Sequence, residues 1–364
     1  MKAHRNKLSL AVALIAASSM AQAEIELTEK LSLSGFIDMS STYVESEIDS
    51  PAALAVDSKS SETSSGLDQF ELNFMYSFDD KLSATVDLEH QDDGRTVTGF
   101  GTAQPSGDDV EVEVPIGEET DIEQAYLNYA VSDNFSVKAG RFLSYAGWET
   151  EDPTGLFQYS GAGYAGYFYG GYQQGMSALY GTDMFAAAVS VVNDLGDLEG
   201  EFRDSKKPAI ETMIAVMPTD AWTAKFFYSV DENEALDEDI VLINAWTSFA
   251  IGDLLLAAEY NKSEDNPVYA TAKDDEASGY LLMANYAFGK AGITVRYHDW
   301  TLETKDGIEF EAVSGITVAP SYALTDNLLI VAEYRTDDIE YLDPVDGQVE
   351  ASADSYALEA LVTF

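Results

Sequence analysis

The sequence predicts an all-β fold, a 16-stranded antiparallel transmembrane β-barrel with short turns at one end and long loops at the other. Three observations predict it. Period-two alternation of apolar and polar residues recurs from about Leu31 to Phe364. Helical 3.6-residue periodicity is not evident after the first 23 residues, and long and short connections alternate strictly. Counts of 14 or 18 strands stay open.

The N-terminal segment has the pattern of a secretory signal peptide. Three basic residues among the first seven precede an apolar stretch, 8–20, and Ala21-Gln22-Ala23 has the small-x-small form of a cleavage site. A stretch of 13 residues is too short for a helix that crosses a bilayer, which needs about 20. We expect 1–23 to be a signal peptide and 24–364 to form a single barrel domain.

The composition excludes several classes of function. The chain has 65 acidic and 19 basic residues, a formal net charge of -46, no cysteine and three histidines. Such a negative charge repels phosphates, so nucleic acid is not an expected partner. The lack of cysteine excludes disulfides, thiolate zinc sites and cysteine nucleophiles. A hydrophobic content of 46% argues against wholesale disorder.

The strands and their connections follow from the alternation. Phe70, Leu72, Phe74, Tyr76 and Phe78 are a clear example, since polar residues and Met75 stand between them. Asp, Asn and Gly predict seven tight turns, near 78–81, 131–134, 181–183, 218–220, 251–253, 288–290 and 324–327. Longer polar stretches lie between them, at 44–65, 92–119, 144–167, 193–206, 231–239, 263–277, 303–311 and 337–352.

Aromatic residues favour the barrel over a soluble β-sandwich, the main alternative. A sandwich has Greek-key crossings and no systematic alternation of long and short loops. It also has little reason to repeat aromatic residues at strand ends, where a membrane interface favours them. Those expected near the two interfaces are Tyr43, Phe78, Tyr129, Phe135, Tyr180, Trp222, Phe249, Tyr260, Phe288, Tyr322 and Tyr334.

Catalysis is not expected. Apart from His4, the histidines are His90 on strand 3 and His298 on strand 13, and the chain has no G-x-S-x-G elbow. Alternation places His90 toward lipid and His298 in the lumen beside Asp299, a pairing that is usually incidental. We therefore predict no enzyme activity and no cofactor. A structural or adhesive barrel stays open as an alternative.

Several segments resemble a known family. They are Gly140–Leu143, followed by Gly147, Glu149, Pro153 and 157–160, together with Leu33–Asp38 and Glu123–Tyr129. In these the chain resembles the OmpL-like "porin-2" barrels of Gram-negative outer membranes. Phe364, at the end of an alternating strand, resembles the assembly signature of such barrels. The chain departs from the family at 144–146, where a Pro often stands. The resemblance implies an outer-membrane porin.

Acidic residues concentrate on the predicted long loops. These 137 residues carry 42 of the 65 acidic residues. An acidic rim predicts a vestibule that gathers cations and repels anions. Divalent ions could link it to lipopolysaccharide, so loosely bound Ca²⁺ at the acidic loops is an expectation. The alternative is that the loops are simply solvated in a saline habitat.

The third long loop, 144–167, is the candidate to fold into the pore. Its acids Glu149, Glu151 and Asp152 are predicted to face a basic wall and to form a constriction with it. Alternation along the strands gives that wall as Lys138, Arg141, Lys225, Arg296 and Arg335. Arg141 would point toward lipid, so we expect a bulge at Gly140 or a position at the rim. Opposed charges of this kind orient solutes and set ion preference.

The expected function is passive diffusion of small hydrophilic solutes and ions, with a preference for cations. A substrate-selective channel, for sugars or an anionic nutrient, is the alternative, and the tyrosines of 161–175 offer a stacking surface for sugars. Outer-membrane lipid and lipopolysaccharide are the expected surroundings. By analogy with barrels of this size we expect a homotrimer, with the small residues of 184–189 as one contact surface.

Overall fold

The structure is a computed structural model. It describes residues 24–49, 58–91, 119–149, 152–195, 207–233, 236–343 and 347–364. The predicted signal peptide, 1–23, lies outside these residues.

The described residues form sixteen antiparallel barrel strands. They are β1 Leu31–Asp49, β2 Ser58–Ser77, β3 Leu82–Gln91, β4 Glu119–Ser132, β5 Phe135–Leu143, β6 Tyr172–Gly181, β7 Phe185–Val192, β8 Ala209–Thr219, β9 Trp222–Asn233, β10 Glu238–Ile251, β11 Leu254–Glu264, β12 Glu276–Phe288, β13 Ala291–Glu303, β14 Glu309–Ala323, β15 Leu328–Asp343 and β16 Gly347–Thr363. Each strand pairs with the next, and β16 pairs with β1, which closes the sheet. A two-residue strand, Ile25–Glu26, pairs with β1. The predicted barrel and its strand number are confirmed.

The period-two alternation separates an apolar outer surface from a polar interior. Phe226 is 48% exposed, whereas its neighbour Lys225 is 6% exposed. Val295 is likewise 45% exposed, and Arg296 has no exposure. A water-soluble protein would bury its apolar side chains and expose its charged ones. Large contiguous apolar surfaces mark contact with lipid or with other proteins. Lys225 and Arg296 therefore point into the barrel.

Exposed aromatic side chains form two rows on the outer surface. Phe78, Tyr129, Trp222 and Phe249 are among those at the short-turn end. The row at the long-loop end includes Tyr43, Tyr260, Tyr280, Tyr334 and Tyr356. Rings at these two levels fit the polar–apolar boundaries of a bilayer, where amphipathic aromatic groups are favoured.

The seven predicted turns are confirmed, but several predicted long loops are too long, above all 44–65 and 337–352. β1 continues to Asp49 and β2 already begins at Ser58, so much of 44–65 is strand. The same holds for 337–352, because β15 and β16 are separated only by 344–346. The alternation fades there because the outer face of these strand ends is polar, with Glu47, Glu340 and Glu350 exposed. The backbone ladder nevertheless continues, as the pairing of Ser46 with Ser60 shows.

The connection between β5 and β6, residues 144–171, is called the inner loop below. Its described residues, 144–149 and 152–171, pack against the inner surface of the barrel. It carries a 3-10 turn, Pro153–Gly155, and a four-residue helix, α1, Ala165–Phe168. Within the described ranges no helix is long and apolar enough to cross a membrane.

Candidate pore constriction

The inner loop turns inward at its first residues. Ser144 Oγ donates to Glu211 Oε2 of β8 at 2.7 Å, which draws the chain away from the rim. Gly147 has a φ of 95°, in the left-handed region that favours glycine. A Cβ atom there would lie 2.6 Å from the ring of Tyr169, near the other end of the loop. Glycine at 147 therefore allows the two ends of the loop to pack together.

A buried ion pair attaches the inner loop to β13. Arg296 Nη1 lies 2.7 Å from Glu149 Oε1, and the two side chains are 0% and 8% exposed. The other oxygen of Glu149 accepts from the backbone N–H of Ala162 at 2.6 Å. Arg296 also donates to Ser160 O at 2.5 Å and to Thr317 Oγ1 at 2.8 Å. Glu149 thus contacts the predicted basic wall directly instead of facing it across open space.

Arg335 of β15 holds the same part of the inner loop. Its Nη1 donates to the carbonyl oxygen of Gly161 at 2.6 Å, and its Nε donates to Asp337 Oδ2 at 2.7 Å. His298 Nε2 lies 3.2 Å from Asp337 Oδ1. The lumen position predicted for His298 is confirmed, although its acidic neighbour there is Asp337.

Glu259 of β11 receives the largest group of hydrogen bonds from the inner loop. Its Oε1 accepts from the backbone N–H of Trp148 at 2.7 Å and from Asn244 Nδ2 at 2.6 Å. Its Oε2 accepts from the hydroxyls of Tyr164 at 2.6 Å and Tyr169 at 2.5 Å. A single carboxylate therefore joins both halves of the loop to the wall.

Two lysines of the predicted basic wall contact the start of the inner loop. Lys225 Nζ of β9 donates to the carbonyl oxygen of Tyr145. Lys138 Nζ of β5 lies 4.4 Å from the ring centroid of Tyr145 and 4.2 Å from that of Phe142. Contacts between an ammonium group and an aromatic face are attractive. Both lysines point into the barrel, as the alternation predicts.

Arg141 does not join the other basic residues. Its neighbour Phe142 is fully buried inside the barrel, so Arg141 lies on the opposite face of β5, two residues from the strand end. Its Nε donates to the carbonyl oxygen of Glu123 at 3.0 Å, and its guanidinium lies 5.6 Å from the ring centroid of Tyr172. The bulge expected at Gly140 is wrong, since the β4–β5 register shift lies between Ala130 and Ser132. The expected position near the rim is where the structure places Arg141.

The remaining acids of the predicted constriction behave differently. Glu151 lies outside the described residues. Asp152 crosses to the other side of the barrel, where its carboxylate lies within 4.8 Å of those of Glu71 on β2 and Glu123 on β4. The three predicted loop acids therefore do not share one basic wall.

The aromatic residues of the inner loop pack on each other. Tyr164 is 1% exposed and meets Phe168 edge to face, with ring centroids 5.4 Å apart. Tyr167 packs against the barrel residue Trp300, with ring centroids 5.1 Å apart. Gly279 of β12 leaves the space for Phe168, because a Cβ atom at 279 would lie 3.1 Å from its ring. These rings form an apolar core beneath the loop, and the ring of Tyr164 offers no face for stacking a sugar.

The interior has two halves of different charge. From β5 to β15, Lys138, Lys225, Arg296 and Arg335 each contact the inner loop. In β1–β4 the single Lys or Arg is Lys59, at the exposed end of β2. Buried acidic side chains of these four strands are Asp38, Glu71, Asp87, Glu89 and Glu123. We call the inner face of β1–β4 the acidic wall.

Sequence reasoning missed the residues that accept hydrogen bonds from the inner loop. Glu211, which is 1% exposed, accepts a hydrogen bond from Ser144 Oγ. Asn244, which has no exposure, accepts one from the backbone N–H of Gly147. Alternation along β8 and β10 could have placed both inside the barrel. The loop itself has no period that indicates its partners.

Comparison with known proteins identifies the family. The family model described as "Putative beta-barrel porin-2, OmpL-like" matches residues 30–364. The chain belongs to this family. It is accordingly a porin-like β-barrel protein of the bacterial outer membrane, which points to a channel rather than an enzyme. A search of curated proteins found no match.

Solved porin structures share the fold at low sequence identity. The outer membrane channel DcaP of Acinetobacter baumannii aligns with a TM-score of 0.61 and 16% identity, over 95% of this chain and 100% of that one. The anion-selective porin of Comamonas acidovorans aligns with a TM-score of 0.58 and 14% identity, over 92% of this chain and 99% of that one. The trimer form of OmpT, an outer membrane protein of Vibrio cholerae, aligns with a TM-score of 0.58 and 13% identity, over 92% of this chain and 100% of that one. At these identities the likeness concerns the fold.

Proposed function

We propose that the protein is a passive diffusion channel for small hydrophilic solutes and ions that prefers cations. The observation that carries the proposal is the closed barrel with a polar interior crossed by the inner loop. Barrels of 16 strands enclose an aqueous channel, and an inward loop narrows it. A channel narrowed in this way passes solutes according to size and charge.

The proposed preference for cations rests on how charged side chains are distributed inside the barrel. Arg296 is neutralised by Glu149, and Arg335 by Asp337, both at 2.7 Å. The acidic wall carries Asp87 and Glu89 among its five buried acidic side chains, on strands whose single Lys or Arg is Lys59, and the loops add further acidic residues. A passage along this wall attracts cations. The anion-selective Comamonas porin shares the fold at 14% identity, so the interior charges of this chain decide its own preference.

Planar-bilayer recording and liposome swelling test the proposed channel. We expect folded, purified protein to give stable conductance steps and to admit small neutral sugars at rates that fall steeply with sugar size. Heat-unfolded protein at the same concentration is the control. Folded barrel that gives neither steps nor swelling would contradict the proposal. Saturation by one sugar would instead favour the substrate-selective alternative.

We also propose that the barrel assembles as a homotrimer in the outer membrane, in contact with lipid and lipopolysaccharide. The trimer form of the Vibrio cholerae protein supports this by analogy. Of the predicted contact segment 184–189, Phe185 and Val189 are exposed on the outer surface, while Ala186 and Ala188 are buried. Native mass spectrometry in detergent tests the assembly, and a single population of monomers would contradict it.

A further inference from the structure

Three carboxylates from separate parts of the chain meet at the acidic wall. Glu71 of β2, Glu123 of β4 and Asp152 of the inner loop each contribute an oxygen, and no two of these oxygens are more than 4.8 Å apart. Glu71 and Glu123 are 2% and 5% exposed, and Asp152 is half-buried. Within the described part of the chain no other group of three or more His, Asp or Glu side chains comes this close together.

A β-bulge aims Glu123 at this position. In the β3–β4 pair Asp87 lies opposite Gln124, whereas Leu88 lies opposite Ile122, so Glu123 is an extra residue. Ile122 is 53% exposed on the outer surface while Glu123 is buried. Bulges of this kind redirect a side chain, often beside a functional site. On the loop side, Asp152 directly precedes the 3-10 turn Pro153–Gly155.

An oxygen of Glu71 has no hydrogen-bond donor. Glu71 Oε1 accepts from Asn73 Nδ2, but no donor among the described residues reaches the buried Oε2. Asp87, its neighbour on β3, likewise has one buried oxygen, Oδ1, without a donor. Burying a carboxylate without compensation is strongly unfavourable. A positively charged ligand beside this oxygen of Glu71 would compensate the cost of its burial.

We propose that Glu71, Glu123 and Asp152 bind a divalent cation, with Ca²⁺ as the best fit. Calcium takes oxygen ligands, carboxylates included, in irregular geometry at about 2.3–2.6 Å. One ion can therefore contact oxygens up to about 5 Å apart, which covers this cluster without movement of the backbone. Magnesium demands octahedral geometry at shorter distances and retains its water, so it fits less well.

The bound ion ties the inner loop to the acidic wall. Arg296 holds Glu149 to β13, and the ion holds Asp152 to β2 and β4 on the opposite side. The loop is then fixed at both sides of the barrel. The ion also offsets part of the charge of the wall. This site differs from loose calcium binding at the exposed loops, because its ligands are buried and come from three elements.

Calcium binding to the folded full-length protein in detergent tests the proposal. Titration calorimetry after chelation, in about 0.3 M KCl, suppresses binding to exposed loops, because the Debye length is then about 6 Å. We expect one saturable Ca²⁺ site per chain. The double variant Glu71→Gln/Glu123→Gln should weaken the affinity for Ca²⁺ by more than about tenfold. Loss of a residue that only hydrogen-bonds to a metal ligand already has an effect of that size at metal sites. The matched control Glu340→Gln/Glu350→Gln removes two exposed acids and should leave the site unchanged.

Folding is checked separately. Each variant is used only if its circular dichroism and its heat-modifiable gel mobility match those of the parent protein. Asp152→Asn, on the loop, gives a second variant that leaves the barrel strands untouched and should also weaken binding. Calcium should raise the melting temperature of the parent and not of the variants. No saturable binding by the folded parent, or equal binding by parent and variants, would overturn the proposal; neither result depends on conductance.

Discussion

Arg296 Nη1 of β13 and Glu149 Oε1 of the inner loop lie 2.7 Å apart, in an ion pair from which solvent is almost excluded. The pair joins a loop without periodicity to a strand whose alternation is regular. Arg296 also donates to two loop carbonyl groups, Ser160 and Gly161. The position of the inner loop therefore depends on the basic residue that the alternation of β13 turns inward.

Removing one partner of this pair should strongly destabilise the protein. In Glu149→Gln the Arg296 guanidinium stays buried without its carboxylate, and we expect a loss of about 3 kcal/mol in the free energy of unfolding. Equilibrium urea unfolding in lipid vesicles measures it. The exposed substitution Glu340→Gln is the control and should change stability by less than about 0.5 kcal/mol. An equally small effect of Glu149→Gln would show that the pair does not anchor the loop.

The tyrosine hydroxyls on Glu259 should also contribute to stability. Tyr169→Phe removes a buried hydrogen bond to a charged acceptor and should lower the free energy of unfolding by about 1.5 kcal/mol. Tyr334→Phe is a matched control, because its hydroxyl bonds Asp354 at 2.9 Å on the exposed outer side, where about 0.5 kcal/mol or less is expected. Tyr169→Phe should also speed proteolysis within the inner loop. Equal effects of the two substitutions would argue against Glu259 as an anchor.

The sequence allowed the barrel wall to be predicted better than the loop. Alternation alone places Lys225, Arg296 and Arg335 inside, because a strand side chain has only two faces to choose from. The partners of the inner loop could not be found in this way, since a loop that folds back on a wall has no repeating pattern. Glu123 was missed for a related reason: a bulge adds one residue and changes the face that later residues occupy.

Neutralising the acidic wall should reduce the preference for cations. Asp87→Asn/Glu89→Gln removes two negative charges that face the interior. Each of these charges favours a passing cation by about 1 kcal/mol, at a distance of about 15 Å and an effective dielectric constant of 20. The K⁺/Cl⁻ permeability ratio should therefore fall by roughly fivefold or more. Glu340→Gln/Glu350→Gln, at exposed positions, should change the ratio much less. If the exposed pair had the larger effect, selectivity would lie in the loops.

The turn between β2 and β3 should give an acid-sensitive contribution to stability. Asp79 Oδ1 accepts from the backbone N–H groups of Lys81 at 2.8 Å and Leu82 at 2.9 Å, and these bonds lower the pKa of Asp79. A lowered pKa means that the contribution is fully present above the unfolded-state pKa of about 3.9 and is lost as pH falls through the folded-state pKa. Asp79→Ala should therefore be less stable than the parent at neutral pH, and the difference should shrink below about pH 4. Urea midpoints across this range measure it, and a difference independent of pH would contradict the assignment.

The most direct test of the proposed channel is the reversal potential of the folded protein in a planar bilayer under a KCl gradient. We predict stable steps whose reversal potential lies toward the potassium equilibrium potential, because Glu149 and Asp337 neutralise Arg296 and Arg335 while the acidic wall carries five buried acidic side chains. A reversal potential on the chloride side would contradict that charge assignment while keeping the channel. No steps from protein shown to be folded would contradict the channel itself.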